Sequence, residues 1–473
     1  MPDKVPDDLV ALLTEHDQLH VCGWWNDLTA SQRSDLVASL RAVDFPLVSE
    51  LVEKYVKGPS PKGDTRGAKA KSPSNLVRLP RSADEKADRV AARSRGMDLL
   101  SAGKVAAMVV AGGQGSRLGF DKPKGMFPIG PVSEKSLFQL HFEQLDALAT
   151  RVGRRIPYLI MTSEQTDAAT KQFLEENEYF GASLHDVYIF RQGWLPAVDE
   201  DGRILMSGKG SLAASPDGHG GMLKAVRKSG LLDILADREI EHVYYHQVDN
   251  PTAILCDPEL LGLHAHRRSE MTTKVVAKTG PQEKMGVVVD IDGKTQIIEY
   301  SDLSEAQQSA TEDDGTLKLW AGNTAIHVFT RDFLERLTSE GASLQYHRAH
   351  KKVGFFDGDL GEIVTPKEPN AFKFEQFIFD ALPEAANALV VEADRGREFN
   401  PVKNAEGADS PQTAREAIRR IHRSWVEAAG GRIAEGTTVE IGPLYALDAE
   451  ELAAKLDRRE FTKDTVLDAS AEL

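Results

Sequence analysis

Apolar and polar positions alternate along this chain in several distinct ways. The first 56 residues place Leu9, Leu12 and Leu13, then Leu36, Val37 and Leu40, at helical spacing with acids between them, which predicts a helical N-terminal region. Residues 57–75, KGPSPKGDTRGAKAKSPSN, carry almost no apolar side chains and are rich in Pro, Gly, Ser and Lys. That composition predicts a flexible connection. From about residue 98, short apolar runs alternate with amphipathic segments. The runs at Val105–Ala111, Ile156–Thr162, Val187–Phe190 and His242–Val248 predict strands of a mainly parallel sheet, buried on both faces. A Ser136…Gln139 capping box opens a helix after the first run, and Ser163 opens one through Glu176 after the second. Between 272 and 300 the texture becomes that of an antiparallel insertion, with Lys274–Lys278, Val287–Ile291, a turn at Asp292-Gly293 and Thr295–Tyr300. Residues 388–394 return to a buried strand, and 411–429 predict a helix with Ala, Ile and Trp on one face. The tail from about 432 mixes short elements. The expected fold class is α/β, with a Rossmann-like, mixed but mainly parallel central sheet flanked by helices. The expected divisions are a helical region over 1–97, a central domain over 98–385 and a small C-terminal domain over 386–473.

The first strand leads into the densest candidate chemistry, Lys104–Gly130, KVAAMVVAGGQGSRLGFDKPKGMFPIG. Beyond Ala111, Gly112, Gly113, Gly115 and Gly119 crowd together with Arg117 among them, and Lys122 and Lys124 follow. A strand feeding a glycine loop brings bare backbone N–H groups against a phosphate. The added cations point to a nucleoside triphosphate. A dinucleotide fingerprint fails, because the sixth position from Gly113 is Leu118 and Gly119 comes one residue late. No Walker string occurs either; SGKGS at Ser207–Ser211 lacks the first glycine. Asp249 closes the fourth predicted strand. Ligands of such sheets lie beyond the carboxyl ends of strands, so the glycine loop and Asp249 can share one crevice.

Composition narrows the classes. Hydrophobic content of 41% and charged content of 27% over 473 residues are those of a soluble globular protein. No apolar run reaches the length of a membrane span, and the N-terminus lacks a secretory pattern. Cys22 and Cys256 are too few for a disulfide framework, so a cytoplasmic protein is expected. A net charge of −16 argues against nucleic acid as a partner. An anionic substrate then requires a local basic pocket, and the Lys and Arg within motifs matter more than the total.

The string AGGQGSRLG followed by PKG resembles the nucleotide-binding signature of the UDP-sugar pyrophosphorylases, most of all the UDP-N-acetylhexosamine branch. Further segments match in the family's order, from about 104 to 430: PDGHGG at Pro216–Gly221, QVDN at Gln247–Asn250, EYS at Glu299–Ser301, AGN at Ala321–Asn323, HKK at His350–Lys352, NAFKFEQFIF at Asn370–Phe379 and FNPVKN at Phe399–Asn404. The resemblance implies a nucleotidyltransferase-type fold and a uridylyltransferase that takes UTP and a sugar 1-phosphate. It assigns catalysis to Arg117, Lys124 and Lys403, with nucleotide binding at Ala111, Gly112, Gly113, Gln192, Gly218 and Lys373. Sugar binding falls to His219, Gly220, Gly286, Glu299, Tyr300, Asn323, Phe377 and Phe379. Asp249 would hold Mg²⁺, with Mn²⁺ as an alternative; seen alone, a strand-terminal Asp is as often a cap. Phe pairs at the spacing of Phe377 and Phe379 are more often core.

The family pattern breaks at His219, where the N-acetylhexosamine branch usually has Asn and the UDP-glucose and broad-specificity branches have His. N-acetylglucosamine 1-phosphate is the expected sugar, and UDP-glucose or broad specificity is the alternative. A non-catalytic UDP-sugar-binding protein is the alternative from another class. A monomer or weak homo-oligomer is expected.

Overall fold

The computed structural model describes residues 4–58, 65–340 and 342–469. Residues 59–64, inside the expected flexible connection, lie outside the described residues. The chain forms two compact units, each gathered from separate segments. The larger comprises residues 65–191, 225–342 and 381–473, and the smaller residues 1–64, 192–224 and 343–380.

Among the described residues the larger unit holds a sheet of ten strands: β1 (Leu76–Val77), β2 (Val105–Val110), β3 (Tyr158–Thr162), β4 (Val187–Arg191), β5 (His242–Gln247), β6 (Met271–Ala277), β7 (Val287–Ile291), β8 (Lys294–Ile298), β9 (Ala321–Thr330) and β10 (Ala388–Glu392). Their order is β1-β10-β6-β9-β5-β2-β3-β4, with β7 and β8 forming a hairpin attached to β9. Neighbours run parallel except at β9, which is antiparallel to both β6 and β5. The α/β class and mainly parallel sheet expected from the apolar runs are therefore present. The Val, Ile, Met and Ala side chains of β2 and β3 are almost entirely buried, as strands covered on both faces require.

From β2 the chain moves outward to β3 and β4, then returns to add β5 on the other side of β2. The carboxyl ends of β2 and β5 thus flank a topological switch point, where a crevice opens in sheets of this kind. The helix after β2, Leu137–Val152, is capped by Ser136, but Gln139 turns to Glu143 instead of completing the box. The helix after β3 begins at Asp167, because Ser163–Thr166 forms a tight turn closed by Thr166 Oγ1 on the Ser163 N–H at 3.0 Å. The Asp292-Gly293 turn has φ of 53° and 82°, the left-handed pair a two-residue hairpin needs. Lys71, in the expected connection, exchanges both backbone bonds with Asp290 of β7, so that stretch is tied to the hairpin.

Helices Asp7–Glu15, Ala30–Ala42 and Phe45–Leu51 belong to the smaller unit. Their Leu9, Leu13, Leu36, Leu40 and Phe45 form one core with Leu195, Val198, Ile204 and Phe374. The last of these comes from the strand Ala371–Gln376, which pairs antiparallel with Tyr346–Lys351. The C-terminal tail folds around Val426, Ile441, Leu452 and Leu467, with short parallel pairs such as Val439–Ile441 on Thr465–Leu467.

Helices Ala83–Ser101 and Pro258–His266 meet backbone to backbone in the larger unit. A Cβ at Gly96 would stand 1.8 Å from the Pro258 carbonyl oxygen, and one at Gly262 1.8 Å from that of Ala92. Neither obstacle is a side chain that could swing aside. Gly96→Ala or Gly262→Ala should therefore force the helices apart and cost about 2–3 kcal/mol, the upper range of overpacking. Urea unfolding of either variant measures this; an unchanged midpoint would mean that the helices separate without loss.

Candidate active site

Backbone bonds first fix the glycine loop. The Ala111 N–H donates to the Met161 carbonyl at 2.8 Å, and Ser163 Oγ to the Gly112 carbonyl at 2.9 Å. The Lys124 N–H closes the loop on the Gly113 carbonyl at 3.0 Å, and the Gly115 N–H on that of Lys122 at 2.9 Å. Arg117 projects, exposed, from a 3-10 turn that ends at Gly119 with φ of 68°. A Cβ at Gly113 would meet nothing within 4 Å. The loop therefore offers open backbone where a phosphate can approach.

Asp249 follows β5 and is buried with Lys124, whose Nζ lies 3.0 Å from Asp249 Oδ2. Burial by itself raises the Asp249 pKa, but Lys124, Lys403 and Arg117 outweigh it, and the carboxyl is held below its ordinary value. It therefore stays ionised at neutral pH. The Val402 N–H donates to the Asp249 carbonyl at 2.8 Å, which places Lys403 beside the strand end. Lys403 Nζ sits over the Phe399 ring and 3.8 Å from Asp409.

Asp249, Asn323 and Lys403 line one small cavity of about 40 Å³. Asn323 enters it from a β-bulge: pairing of β9 with β6 slips between Asn323 and Ile326, and Ala325 takes φ of 56°. Bulges beside sites re-aim side chains in this way. The Ala325 N–H donates to Asn323 Oδ1 at 3.0 Å, leaving the amide nitrogen as donor. The Asn323 N–H bonds the Gly286 carbonyl at 2.9 Å, and Glu299 packs where a Gly286 side chain would be. Tyr300 opens the next 3-10 turn, half-buried. Within the larger unit, the structure thus joins Gly286, Glu299 and Asn323 to the Asp249–Lys403 end.

The remaining expected residues are in the smaller unit. Gln192 is buried, with Nε2 3.5 Å from both Asp217 Oδ1 and the Gly218 carbonyl. Gly218 takes φ of 85°, and a Cβ there would lie 2.4 Å from the Gln376 carbonyl oxygen. A Cβ at Gly220 would lie 2.7 Å from Gln376 C and Phe377 N. Both glycines make room for the end of the strand that carries Lys373. His219 stacks on Phe377 at 5.4 Å and tilts against Phe379 at 5.6 Å. Its Nδ1 accepts the Ile378 N–H at 3.2 Å, so the neutral ring carries its proton on Nε2. Burial, with a smaller push from His347, lowers its pKa to about 4. Phe379 is buried, as a core residue would be, whereas Phe377 is half-buried.

Among the described residues no three His, Cys, Asp or Glu side chains gather as a metal cage. Asp249 offers a single ionised carboxylate with net positive charge around it. A hard cation that takes one carboxylate would fit there once phosphate oxygens and water complete its shell and offset the surrounding positive charge.

Two residues beside the site had no separate signal. Asn250 lay inside QVDN without an assigned role. Its Nδ2 donates to the Glu398 carbonyl at 2.7 Å, and its Oδ1 accepts the Asn400 N–H at 3.2 Å, clamping the Lys403 loop to β5. Asp409, the ion partner of Lys403, follows a polar loop that carries no pattern.

A mixed, mainly parallel sheet with a cationic glycine loop and a carboxylate across its switch point defines a nucleotidyltransferase-type α/β protein. Residues 64–410 match the family model described as UTP–glucose-1-phosphate uridylyltransferase. The chain belongs to that family. It is 38% identical to the UDP-N-acetylglucosamine pyrophosphorylase of Saccharomyces cerevisiae, over 76% of this chain and 77% of the yeast protein. It is 34% identical to the human UDP-N-acetylhexosamine pyrophosphorylase-like protein 1, over 98% of this chain and 97% of that one. The crystal structure of the uridine diphosphate N-acetylglucosamine pyrophosphorylase of Trypanosoma brucei, in complex with an inhibitor, superposes with a TM-score of 0.81. That match is 27% identical and covers 96% of this chain and 95% of the other.

Asn250→Ala should release the Lys403 loop and lower kcat about tenfold, the cost of losing hydrogen bonds to buried groups, with UTP affinity nearly unchanged. Steady-state rates beside a UTP titration test this. For His219, a pKa of about 4 means that its imidazole proton resonances should not shift between pH 8 and 5.5; titration near 6.5 would show the ring open to water.

Proposed function

We propose that this chain makes UDP-N-acetylglucosamine and pyrophosphate from UTP and N-acetylglucosamine 1-phosphate. Its family makes it a UTP:sugar-1-phosphate uridylyltransferase; the sugar and the roles of individual residues are the proposal. The observation that carries it is the gathering of Lys124, Lys403 and Arg117 around one ionised carboxylate at the switch point. The acetylated sugar is supported by the names of relatives that match over most of their length and by the HKK, NAFK and PVKN segments.

In the proposed reaction a phosphate oxygen of the sugar 1-phosphate attacks the α-phosphorus of UTP. The new O–P bond forms in line with the bond to the β-phosphate, which breaks to release pyrophosphate. The nucleophile is already an anion, so no general base is needed. Catalysis then rests on positioning two polyanions and neutralising charge as the transition state forms. Arg117 and Lys124 hold the β- and γ-phosphates, with the backbone of Ala111, Gly112 and Gly113 against the nucleotide. Lys403 neutralises the incoming sugar phosphate, and Lys373 supplies a further phosphate contact. Gln192 and Gly218 meet the base; His219, Gly220, Gly286, Glu299, Tyr300, Asn323, Phe377 and Phe379 meet the sugar. Reactions of this type are generally metal-dependent, and Asp249 would hold Mg²⁺, with Mn²⁺ as the alternative. The ion, when bound, supplies Lewis-acid charge neutralisation at the phosphates.

His219 favours a second reading, UDP-glucose or broad specificity, because its Nε2–H offers one donor where Asn would offer a donor and an acceptor. Along the chain we keep a functional division into a helical region to 97, a catalytic nucleotide-binding segment over 98–385 and a C-terminal segment over 386–473. Both cysteines are buried free thiols, which supports a cytoplasmic setting. Among the described residues no helix is long and apolar enough to cross a membrane. A monomer or weak homo-oligomer is proposed.

Pyrophosphate release from UTP and Mg²⁺ with glucose, galactose, N-acetylglucosamine and N-acetylgalactosamine 1-phosphates tests the sugar. Release confined to acetylated sugars is expected; preference for glucose would establish the second reading. Lys403→Ala should lower kcat about 100- to 1000-fold, roughly 3–4 kcal/mol, while UTP still binds; near-normal turnover would remove Lys403 from the mechanism. Asp249→Ala should abolish metal-stimulated turnover, and unchanged Mg²⁺ dependence would rule out its metal role.

A further inference from the structure

Asp217 belongs to none of the roles above, yet the smaller unit is built closely around it. Its side chain is buried. A Cβ at Gly193 would stand 2.3 Å from Asp217 Oδ2, and one at Gly221 2.0 Å from Oδ1. Two glycines on separate segments thus make room for one carboxylate. Its backbone is held as well: the Asp217 N–H donates to the Gly193 carbonyl at 3.2 Å, and its carbonyl accepts the Gln376 N–H at 2.8 Å.

Beside it lies the Gln192 amide. Asp217 Oδ1 and the Gly218 carbonyl both lie 3.5 Å from its nitrogen, and both are acceptors. Turning the amide over would set its oxygen against two oxygens, so the nitrogen faces inward and Oε1 is left to accept from a ligand. We propose that Asp217 is a positioning residue that fixes the Gln192 amide with Oε1 outward, selecting a pyrimidine whose N3 carries a proton. Uracil has that N–H, whereas cytosine presents a bare N3 acceptor. The proposal rests on the reading that Gln192 meets the base.

Burial raises the Asp217 pKa to about 6, with Gln192 and Lys224 pulling the other way. Lys224 in turn donates to the Tyr346 hydroxyl at 3.0 Å. A carboxyl whose folded pKa lies above its unfolded value is stabilising when protonated, and that contribution is lost as pH rises through about 6. At pH 8 the fold therefore holds an ionised carboxylate at a cost, which an uncharged replacement relieves.

The test compares kcat/KM for UTP and CTP, with the preferred sugar 1-phosphate at pH 8, in the wild type, Asp217→Ala, Asp217→Asn and Gln192→Ala. The wild type should prefer UTP. Asp217→Ala should lower that preference tenfold or more, through KM for UTP and with kcat within threefold. Asp217→Asn keeps an acceptor oxygen and should restore the preference to within about threefold of the wild type. Equal losses for both nucleotides in Asp217→Ala, or no loss, would overturn the proposal, as would a wild type that uses CTP equally well. Gln192→Ala separates the two levels. Lost selectivity there with intact selectivity in Asp217→Ala defeats the proposal alone, and intact selectivity in Gln192→Ala defeats the reading it rests on. If Asp217→Ala does not fold, Gly193→Ala, which displaces the carboxylate without removing it, decides in its place, with the same loss of preference expected and an unchanged preference overturning the proposal.

Discussion

A buried carboxylate stays ionised when cations or hydrogen-bond donors offset its lost hydration. Asp249 meets that condition through Lys124 at 3.0 Å and the charges of Lys403 and Arg117. One negative charge thus organises three positive ones at the ends of two adjacent parallel strands. A chain of net charge −16 acquires in this way a place where phosphates are welcome. The surrounding bonds serve the same end. The glycine loop is closed on Lys124, the Lys403 loop is bonded to Asp249, and Asn250 joins that loop to the strand.

Much of this was legible because it is local. Strands β2 and β3 are almost continuous apolar runs, and the loop after β2 declares itself by four glycines and its cations. What escaped is what depends on distant partners. Strand β9, AGNTAIHVFT, mixes Gly, Asn and Thr with apolar residues, and its bulge at Thr324 and Ala325 breaks the period of two. No alternation therefore marked the one antiparallel strand in the middle of the sheet. The N-terminal helices were legible as helices, but their burial against Val198, Ile204 and Phe374 was not. An amphipathic face shows that a helix packs, without naming its partner.

The glycines of PDGHGG show a related limit. Gly218 and Gly220 admit the backbone at Gln376 and Phe377, and Gly221 admits the Asp217 carboxylate. A glycine records that something comes near, and only the tertiary structure tells what. His219 is comparable: its type was visible at once, but its bond to Ile378 and its place against two Phe rings, which determine the atom it can offer, were not.

The division of the smaller unit into residues 1–64, 192–224 and 343–380 has a consequence for biosynthesis. The N-terminal helices leave the ribosome first, but Tyr346 and Phe374, which complete their core, are translated only after the larger unit's first two segments. During that interval Leu9, Leu13, Leu36 and Leu40 have no finished surface to cover them. Domains generally fold as units during synthesis, and this one must wait. A nascent chain halted before residue 343 would therefore display a sticky, chaperone-seeking amino terminus, although most of the parallel sheet had already been made.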